Sequence, residues 1–451
     1  MEPVKSLLLN PTVPYAPFAR SFINFGGFAV VNEYNGWEPE TNAWKESCYI
    51  SANLSGVMAM HTVKGPDALK LLNENSVNNF TKMSIGSACH GIMTTRKGNV
   101  IEHGMVLRLA GESFGTYAFQ PYINFLANNG KYNVESLVTT IRDFIYQIAG
   151  PKSLETIENA ARQDLHGLKF MRFCAAEIAG HKVRIIRMGM GGTLAYEVHG
   201  ELEHSHDVYN ALVESGTPFG IQKMGWLSYC CNHTENGFPQ IGEHFAYPFS
   251  DEPEFMEYLR KDSFIFDPML LPPLGSLSDD LNDYFRNPIE LGWDHMIKYD
   301  HDFNGKEALR KIAAGPHREM VTLVWNAEDI LDVHASYYKH GVKPYKKIIH
   351  PFDLAGSGYG NCQDRVINDR GEMIGISMHE TYTLYSHDMI SLCCIDPEYT
   401  KPGTEVIVVW GDKFHPIKNI RAMVARFPYL DLTRNQEYDV ESIPRYIPVP
   451  S

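Results

Sequence analysis

Two short blocks near the middle of the chain carry the residue types that could do chemistry. The first runs Arg187-Met188-Gly189-Met190-Gly191-Gly192-Thr193-Leu194-Ala195-Tyr196-Glu197, and the second runs Tyr229-Cys230-Cys231-Asn232-His233-Thr234-Glu235-Asn236-Gly237-Phe238-Pro239. The segment 182–186 alternates polar and apolar residues, which predicts a strand that leads into the glycine turn. After the turn, strand alternation puts Ala195, Glu197 and His199 on one face and Leu194, Tyr196 and Val198 on the other.

Glu197 is the first candidate for ligand recognition. A carboxylate accepts two hydrogen bonds side by side, which suits the edge of an aminopyrimidine or a pterin. The pattern alone also fits a surface hairpin with an ordinary solvated glutamate. Local sequence therefore leaves both interpretations open.

The first block resembles the R-x-G-Y-T-G-x-x-G-[FY]-E signature of the folate-binding aminomethyltransferase family, which includes the glycine-cleavage T-protein. The chain keeps Arg187, Gly189, Gly192, Tyr196 and Glu197, and it has Ala195 where the family has glycine. A stronger match runs from Pro288 to Leu309 and resembles the family's P-x-E-x-G-L-G-W...K-x-D...F-x-G-K-E-A-L run. Weaker matches extend the resemblance from Trp37 to about Asp412, which is nearly the whole chain.

The second block distinguishes the branches of this family. Aminomethyltransferases read A-R-D-x-L-R-L-E-x-G here, whereas this chain resembles the Y-x-x-N-x-x-E-x-G-[WF] version of the methyl-ether and sulfonium demethylases. His233 stands where the amine-processing enzymes have their second arginine, and this change suits a neutral aromatic substrate. The family's catalytic aspartate lies eleven residues before the glycine of a Gly-Pro turn, and Leu54 occupies that position. A leucine cannot hold the proton of an ammonium leaving group, so the ordinary glycine-cleavage reaction is not expected.

The resemblance implies tetrahydrofolate as the acceptor of a one-carbon unit, and no metal. The candidate cofactor-binding residues are Glu197, Gln147, Tyr196, Phe238 and Glu235. Glu197 would fix the pterin, and Phe238 would stack on one of the rings. The glutamine of the family's Q-G-P turn is Ala149 here, so Gln147, two residues earlier on the same strand face, is a candidate substitute.

Two further residues are candidates for substrate binding. His90 occupies a position where the family often has a pocket-facing tyrosine, although a lone histidine on a strand is more often structural. Gln120 follows Tyr117-Ala118-Phe119, in a region where related aryl O-demethylases are expected to carry an arginine that grips a benzoate carboxylate. The nearest basic residues are Arg108 and Lys131, and neither is clearly placed for that role. Recognition of a carboxylate therefore stays open.

The predicted reaction is tetrahydrofolate-dependent O-demethylation, in which the methyl group of an aryl methyl ether moves to N5 and leaves a phenol and 5-methyltetrahydrofolate. An aryloxide is a poor leaving group unless it is protonated or hydrogen-bonded as the bond breaks. Tyr229 is the candidate acid, because a tyrosine of pKa about 10 is matched to a phenol, and Tyr247 is the second candidate. The alternatives are demethylation of a sulfonium or N-methyl compound, aminomethyl transfer, and a non-catalytic folate-binding regulatory protein.

These residues must be positioned by a large fold, which the resemblance predicts to be α+β. We expect residues 1–315 to form a folate-binding region of two mixed α/β subdomains around a central pocket, with an insertion near 240–283. Short strand patterns with turns between them predict a small barrel or sandwich over 316–451, and the family resemblance implies a β-barrel there. A hairpin is expected from Cys89 to Leu109, a helix running into a strand from Val134 to Ile148, and a helix from Lys306 to Ala313.

Composition limits the partners. The net charge of -14 argues against nucleic acid or an anionic membrane, since both attract a basic surface. No apolar run approaches the length of a membrane span, and no signal peptide is recognisable, so a cytoplasmic location is expected. The cysteines are Cys48, Cys89, Cys174, Cys230, Cys231, Cys362, Cys393 and Cys394. Their spacing fits neither a zinc site nor a disulfide framework, which predicts buried or half-buried thiols. Composition leaves the oligomeric state undetermined.

Overall fold

The computed structural model describes residues 8–25, 28–55, 60–140, 142–190, 192–262, 272–353 and 360–445. Gly191 of the first block and part of the predicted insertion lie outside the described residues. The strands are β1 Leu8–Leu9, β2 Ser21–Phe25, β3 Phe28–Glu33, β4 Tyr49–Ser51, β5 Met60–Lys64, β6 Ala88–Thr94, β7 Val100–Ala110, β8 Ser113–Tyr117, β9 Glu135–Val138, β10 Asp143–Ala149, β11 Phe173–Ile178, β12 His181–Ile186, β13 Ala195–Glu201, β14 Gln222–Lys223, β15 Glu319–Trp325, β16 Gln363–Ile367, β17 Met373–Thr383, β18 Asp388–Ile395, β19 Glu405–Asp412 and β20 His415–Ala425. The helices are α1 Trp37–Glu46, α2 Ala68–Asn75, α3 Tyr122–Asn128, α4 Ser153–Ala161, α5 Ser205–Gly216, α6 Trp226–Asn236, α7 Pro253–Asp262, α8 Lys306–Ala314 and α9 Ala327–Ser336.

The strands form three open sheets and one closed barrel. A six-stranded sheet has the order β11-β12-β13-β10-β4-β14, and a five-stranded sheet has the order β6-β7-β8-β5-β9. A three-stranded sheet, β1-β3-β2, lies near the start of the chain. The barrel closes in the order β15-β18-β17-β16-β19-β20. The fold is therefore α+β with a small C-terminal barrel, as the sequence predicts. The division of the chain after residue 315 stays a proposal.

The strand pair β10 and β13 forms the centre of the six-stranded sheet. Tyr146 and Ile148 of β10 face one core cluster together with Tyr196 and Val198 of β13. Helices α4 and α5 cover this face, since their apolar residues belong to the same cluster. The opposite face of β13 carries Glu197, as the alternation predicts. One side of the sheet therefore packs under helices, and the other side places Glu197 beside a second apolar cluster that includes Ile145, Ala149 and Ala195.

Local predictions had mixed outcomes. The hairpin over 89–109 and the strand over 182–186 are confirmed by β6, β7 and β12. The helix expected within 134–148 is wrong, because β9 and β10 occupy the described part of that range. The segment reads as a helix in isolation, yet β10 pairs with β13 on one side and β4 on the other. Tertiary pairing overrides the local preference here.

Helix α6 carries the second block and lies between the first half of the chain and the barrel. All its residues from Leu227 to Asn236 are buried, and the helix contacts α1, β3, β17 and β18. It ends at Gly237, whose left-handed backbone (φ 64°) lets its N–H bond to carbonyls of the last turn. A helix buried on every side holds its polar residues in fixed positions.

The segment that follows α6 contacts two separate core clusters. Ile241 and Phe245 pack in one core cluster with Trp293, while Phe255 of α7 packs against the five-stranded sheet. Residues 263–271 of the predicted insertion lie outside the described residues. Among the described helices, none combines the length and the hydropathy that a membrane span requires.

Candidate active site

The site is built around the carboxylate of Glu197. Gln147 lies directly opposite Glu197 in the antiparallel pair of β10 and β13, and its side-chain amide donates to Glu197 Oε1 at 3.1 Å. The hydroxyl of Tyr117, at the end of β8, donates to Oε2 at 2.7 Å. The ring of His199, two residues along the same strand face, lies 2.9 Å from Oε2 through Nε2. A carboxylate offers about four acceptor sites, so these three protein contacts leave about one acceptor site unused.

The orientation of Gln147 is fixed by a second contact. The hydroxyl of Tyr49, on β4, donates to Gln147 Oε1 at 3.4 Å, which directs the amide nitrogen toward Glu197. Burial raises the pKa of Tyr117 and of Tyr49 above that of a free tyrosine, and the charge of Glu197 acts in the same direction. Both tyrosines therefore stay protonated and act as donors toward this network.

Tyr229 projects from the first turns of α6 into the same region. Its side chain is only 5% exposed, and none of the hydrogen bonds between described residues involves its hydroxyl. Burial raises its pKa well above 10.0, and the neighbouring groups Tyr49 and Glu197 raise it further. Tyr229 is thus a neutral donor whose proton is not engaged by the protein.

The same face of α6 carries other polar atoms without partners. Asn232 and Asn236 follow Tyr229 at helical spacings of three and seven residues, which places them on one side of the helix. Within the described part of the chain, Oδ1 of each asparagine is buried and has no hydrogen-bond partner. Buried polar atoms are normally satisfied, so a row of unpaired ones is typical of a surface that meets a polar ligand.

His233, one turn after Tyr229, pairs with an acid from outside the helix. Its Nδ1 lies 3.2 Å from Oε2 of Glu243, which is an ion-pair distance, although Nδ1 forms no well-aligned hydrogen bond. The His233 ring meets the Tyr229 ring edge-on at 4.8 Å between centroids. Burial raises the pKa of Glu243, and His233 opposes that rise.

An aromatic wall of Phe238, His90 and Trp293 adjoins His233, whose ring lies 6.0 Å from that of Phe238. Phe238 lies 5.6 Å from His90 and 6.2 Å from Trp293, measured between ring centroids. Burial lowers the pKa of His90 to about 4 and that of His103 well below 6.5, so both rings are neutral. The backbone N–H of Ile241 donates to His103 Nε2, so His103 Nδ1 carries the proton that it donates to His90 Nε2 at 3.1 Å.

The other predicted residues make contacts of different kinds. Tyr196 faces the apolar core on the opposite side of β13, where its buried hydroxyl has no partner among the described residues. Glu235 forms a buried ion pair with Lys45 at 3.0 Å. Gln120 precedes α3. Tyr247 packs on Phe249 at 4.9 Å, and it contacts both the core cluster of the five-stranded sheet and the cluster that contains Trp293.

Two positions singled out by the sequence have structural explanations. A side chain at Gly192 would collide with Asn236 and Trp44, and its φ of +80° favours glycine, so close packing accounts for this residue. Leu54, which replaces the family's aspartate, is buried in one apolar cluster with Tyr117 and Tyr229. The position next to the site therefore holds no carboxylate.

Sequence reasoning missed several members of the site. Tyr117, His103 and Glu243 come from elements far apart in the chain, and no local pattern links them to Glu197 or Tyr229. His199 could have been found, because it shares the strand face of Glu197. Residue alternation is thus the only local signal that pointed to a missed residue.

Comparison with known proteins agrees with this architecture. Residues 19–249 match the family model described as the GCVT N-terminal domain. The chain is 38% identical over 95% of its length to the sesamin methylene transferase of Sinomonas sp. (strain No.22), of which it covers 98%. It is 32% identical over 89% of its length to the syringate O-demethylase of Sphingobium sp. (strain NBRC 103272 / SYK-6), of which it covers 90%. The solved structure of the glycine cleavage system aminomethyltransferase T from Bartonella henselae shares the fold, with a TM-score of 0.66 and 14% identity over 93% of this chain and 96% of that one.

Proposed function

Since this chain belongs to the GCVT aminomethyltransferase family, we propose that it transfers the methyl group of an aryl methyl ether to N5 of tetrahydrofolate. The products are a phenol and 5-methyltetrahydrofolate. Its relatives include named transferases and an O-demethylase, so an enzymatic role agrees with the family. We propose the cytoplasm as its compartment.

The observation that carries this proposal is the unengaged hydroxyl of Tyr229 beside the carboxylate of Glu197. No hydrogen bond between described residues uses this hydroxyl, so it is available to donate to a ligand atom. The unpaired oxygens of Asn232 and Asn236 on the same helix face call for ligand donors. Together with the spare acceptor site on Glu197, these atoms fit a folate that presents both donors and acceptors on its pterin.

Bound tetrahydrofolate would supply the nitrogen that accepts the methyl group. The protein's own contribution is positional and electrostatic. Glu197, held by Tyr117 and Gln147, would fix the pterin edge, and the wall around Phe238 would exclude water from the reacting atoms. Tyr229 would donate a hydrogen bond to the ether oxygen as negative charge develops on it, which is where a fixed donor lowers the barrier most.

The charges of the site favour a substrate without a carboxylate. Among the described residues, no lysine or arginine forms a hydrogen bond or ion pair with Tyr229, His233 or Phe238. Lys45 is engaged by Glu235, and Arg434 donates to the carbonyl of Asn236. A benzoate carboxylate would be buried there without a cation, which is unfavourable.

The leaving group argues against aminomethyl transfer. Leu54 fills the position where the family's catalytic aspartate would meet an ammonium group, and the surrounding residues are apolar. The leaving group of a sulfonium substrate is neutral and needs no proton, so the hydroxyl of Tyr229 would have no role in that reaction. Among the three substrate classes, an aryl methyl ether therefore fits the observed groups best.

A substrate panel tests the proposal. The protein is incubated without oxygen with tetrahydrofolate and methoxybenzenes, methoxybenzoates or trimethylsulfonium, and 5-methyltetrahydrofolate is followed by mass. We expect transfer from neutral methoxybenzenes and much less from the matched benzoates. Transfer from the sulfonium alone would refute the ether assignment, and a flat panel with retained folate binding would favour a binding protein.

A methylenedioxy ring is the second candidate substrate, supported by the 38% identity to a sesamin methylene transferase. Its bridging carbon has two C–O bonds, so transfer would release a catechol and yield 5,10-methylenetetrahydrofolate. A methylenedioxybenzene in the same panel discriminates the two reactions, because the two folate products differ in mass.

A further inference from the structure

We propose that His233 and Glu243 form a proton-delivering pair for the leaving aryl oxygen, while Tyr229 holds that oxygen through a hydrogen bond and keeps its own proton. This inference rests on the proposed function, since it assigns the source of the proton in that reaction. Neither residue belongs to the group around Glu197, and His233 replaces a position that is cationic in the amine-processing relatives.

The geometry brings the three residues together. The rings of Tyr229 and His233, one helical turn apart on α6, meet at 4.8 Å with an interplanar angle of 88°. Oε2 of Glu243 lies 3.2 Å from Nδ1 of His233. His233 and Glu243 are 3% and 7% exposed, so bulk water does not compete for this contact.

The groups that face this pair are neutral. His103 and His244 lie near His233, and burial lowers the pKa of both well below 6.5. The thiol of Cys230 lies beside Glu243, and burial raises its pKa well above 9.0. The proposed role requires the pair to carry one transferable proton, and no charged group among these neighbours competes with it for that proton.

Tyr229 is a poor source for the same proton. Its pKa lies well above 10.0, because a tyrosinate would be buried close to Tyr49 and Glu197. A group that retains its proton this strongly can donate a hydrogen bond to a phenolate, but it protonates a phenolate unfavourably. The proton that ends on the product needs a more acidic donor, and the His233–Glu243 pair is adjacent.

Methyl transfer exchanges one bond to carbon and moves one proton. The bond between the aryl oxygen and its methyl group breaks, and a bond between that carbon and N5 of tetrahydrofolate forms. The aryl oxygen gains one proton from the pair, and N5 loses one proton, which returns the pair to its starting state directly or through solvent. No oxidant or reductant is required.

Leaving-group dependence tests the inference. The rate of methyl transfer is measured for methoxybenzenes that carry a methyl group, a hydrogen or a nitro group para to the ether, in the wild type and in His233→Asn and Glu243→Gln. Removing a general acid typically costs about 10²- to 10⁴-fold. We expect that loss for the para-methyl ether and a much smaller loss for the para-nitro ether, whose phenolate leaves without protonation. His181→Asn, a change on the distant strand β12, is the matched histidine control.

Chemical rescue gives a second measurement. Added imidazole is expected to restore part of the activity of His233→Ala toward the para-methyl ether, and thermal unfolding shows whether each variant is folded. If the wild type is active and folded variants lose rate equally across the series, or lose none, the proton-delivering pair is refuted and the proposed function stands. If the wild type transfers a methyl group from none of the three probes nor from any ether of the broader panel, the proposed function fails first.

Discussion

Replacing Glu197 separates its role in folate binding from its role in folding. Three protein groups contact the carboxylate: Tyr117 at 2.7 Å, Gln147 at 3.1 Å and His199 at 2.9 Å. Glu197→Ala would leave these groups buried without their acceptor, at roughly 1–3 kcal/mol each. The sum approaches the whole stability of a typical domain, about 5–15 kcal/mol, so the alanine variant would lose binding through misfolding.

Glu197→Gln is the informative change. It keeps the volume and one acceptor oxygen, but it removes the negative charge. A hydrogen bond to a charged group contributes about 1.5–3 kcal/mol, so its loss should weaken tetrahydrofolate binding by roughly 10- to 150-fold. Calorimetric titration without oxygen measures the Kd, and thermal unfolding confirms that the variant is folded.

A matched control lies nearby in sequence. Glu203 has a side chain that is 72% exposed, so Glu203→Gln should leave the Kd unchanged. If folded Glu197→Gln binds tetrahydrofolate within about twofold of the wild type, Glu197 does not anchor the pterin and the reasoning fails. No binding by the wild type itself would remove the folate proposal altogether.

Three other predictions concern the site and its supports. Tyr229→Phe should lower kcat for a methyl ether by roughly 10²- to 10³-fold, because the developing oxyanion loses one hydrogen-bond donor, and the Kd for tetrahydrofolate should not change. An unaltered kcat would contradict the role of the hydroxyl. Lys45→Met should reduce the free energy of unfolding by about 3–5 kcal/mol in a urea titration, because Glu235 loses its partner, and adding Glu235→Leu should recover most of the loss. An unchanged free energy of unfolding in Lys45→Met would show that the pair is not buried as described. Burial raises the pKa of Glu380 from 4.5 to about 8, so the folded state binds more protons than the unfolded state, and the free energy of unfolding should fall as pH rises from about 4.5 to about 8. Glu380→Gln should flatten this pH dependence, and an unchanged dependence would refute the raised pKa of Glu380.

The local sequence correctly predicted the features that depend on a single strand or on the spacing of turns. The alternation along β13 predicted that Glu197 and His199 share a face, and the structure joins them at 2.9 Å. Turn residues and short strand patterns predicted a C-terminal barrel or sandwich, the family resemblance implied a barrel, and the structure has a closed barrel. Side-chain direction in a strand depends only on residue spacing, so the sequence contains it.

The sequence by itself therefore determined the family, the α+β class and the strand face on which Glu197 lies. Only the tertiary structure decided which groups meet it, because contacts between elements depend on how sheets and helices pack. Tyr117 reaches Glu197 across 80 positions of chain, and Lys45 reaches Glu235 across 190. The same packing brings Glu243 to within 3.2 Å of His233, which no residue spacing encodes.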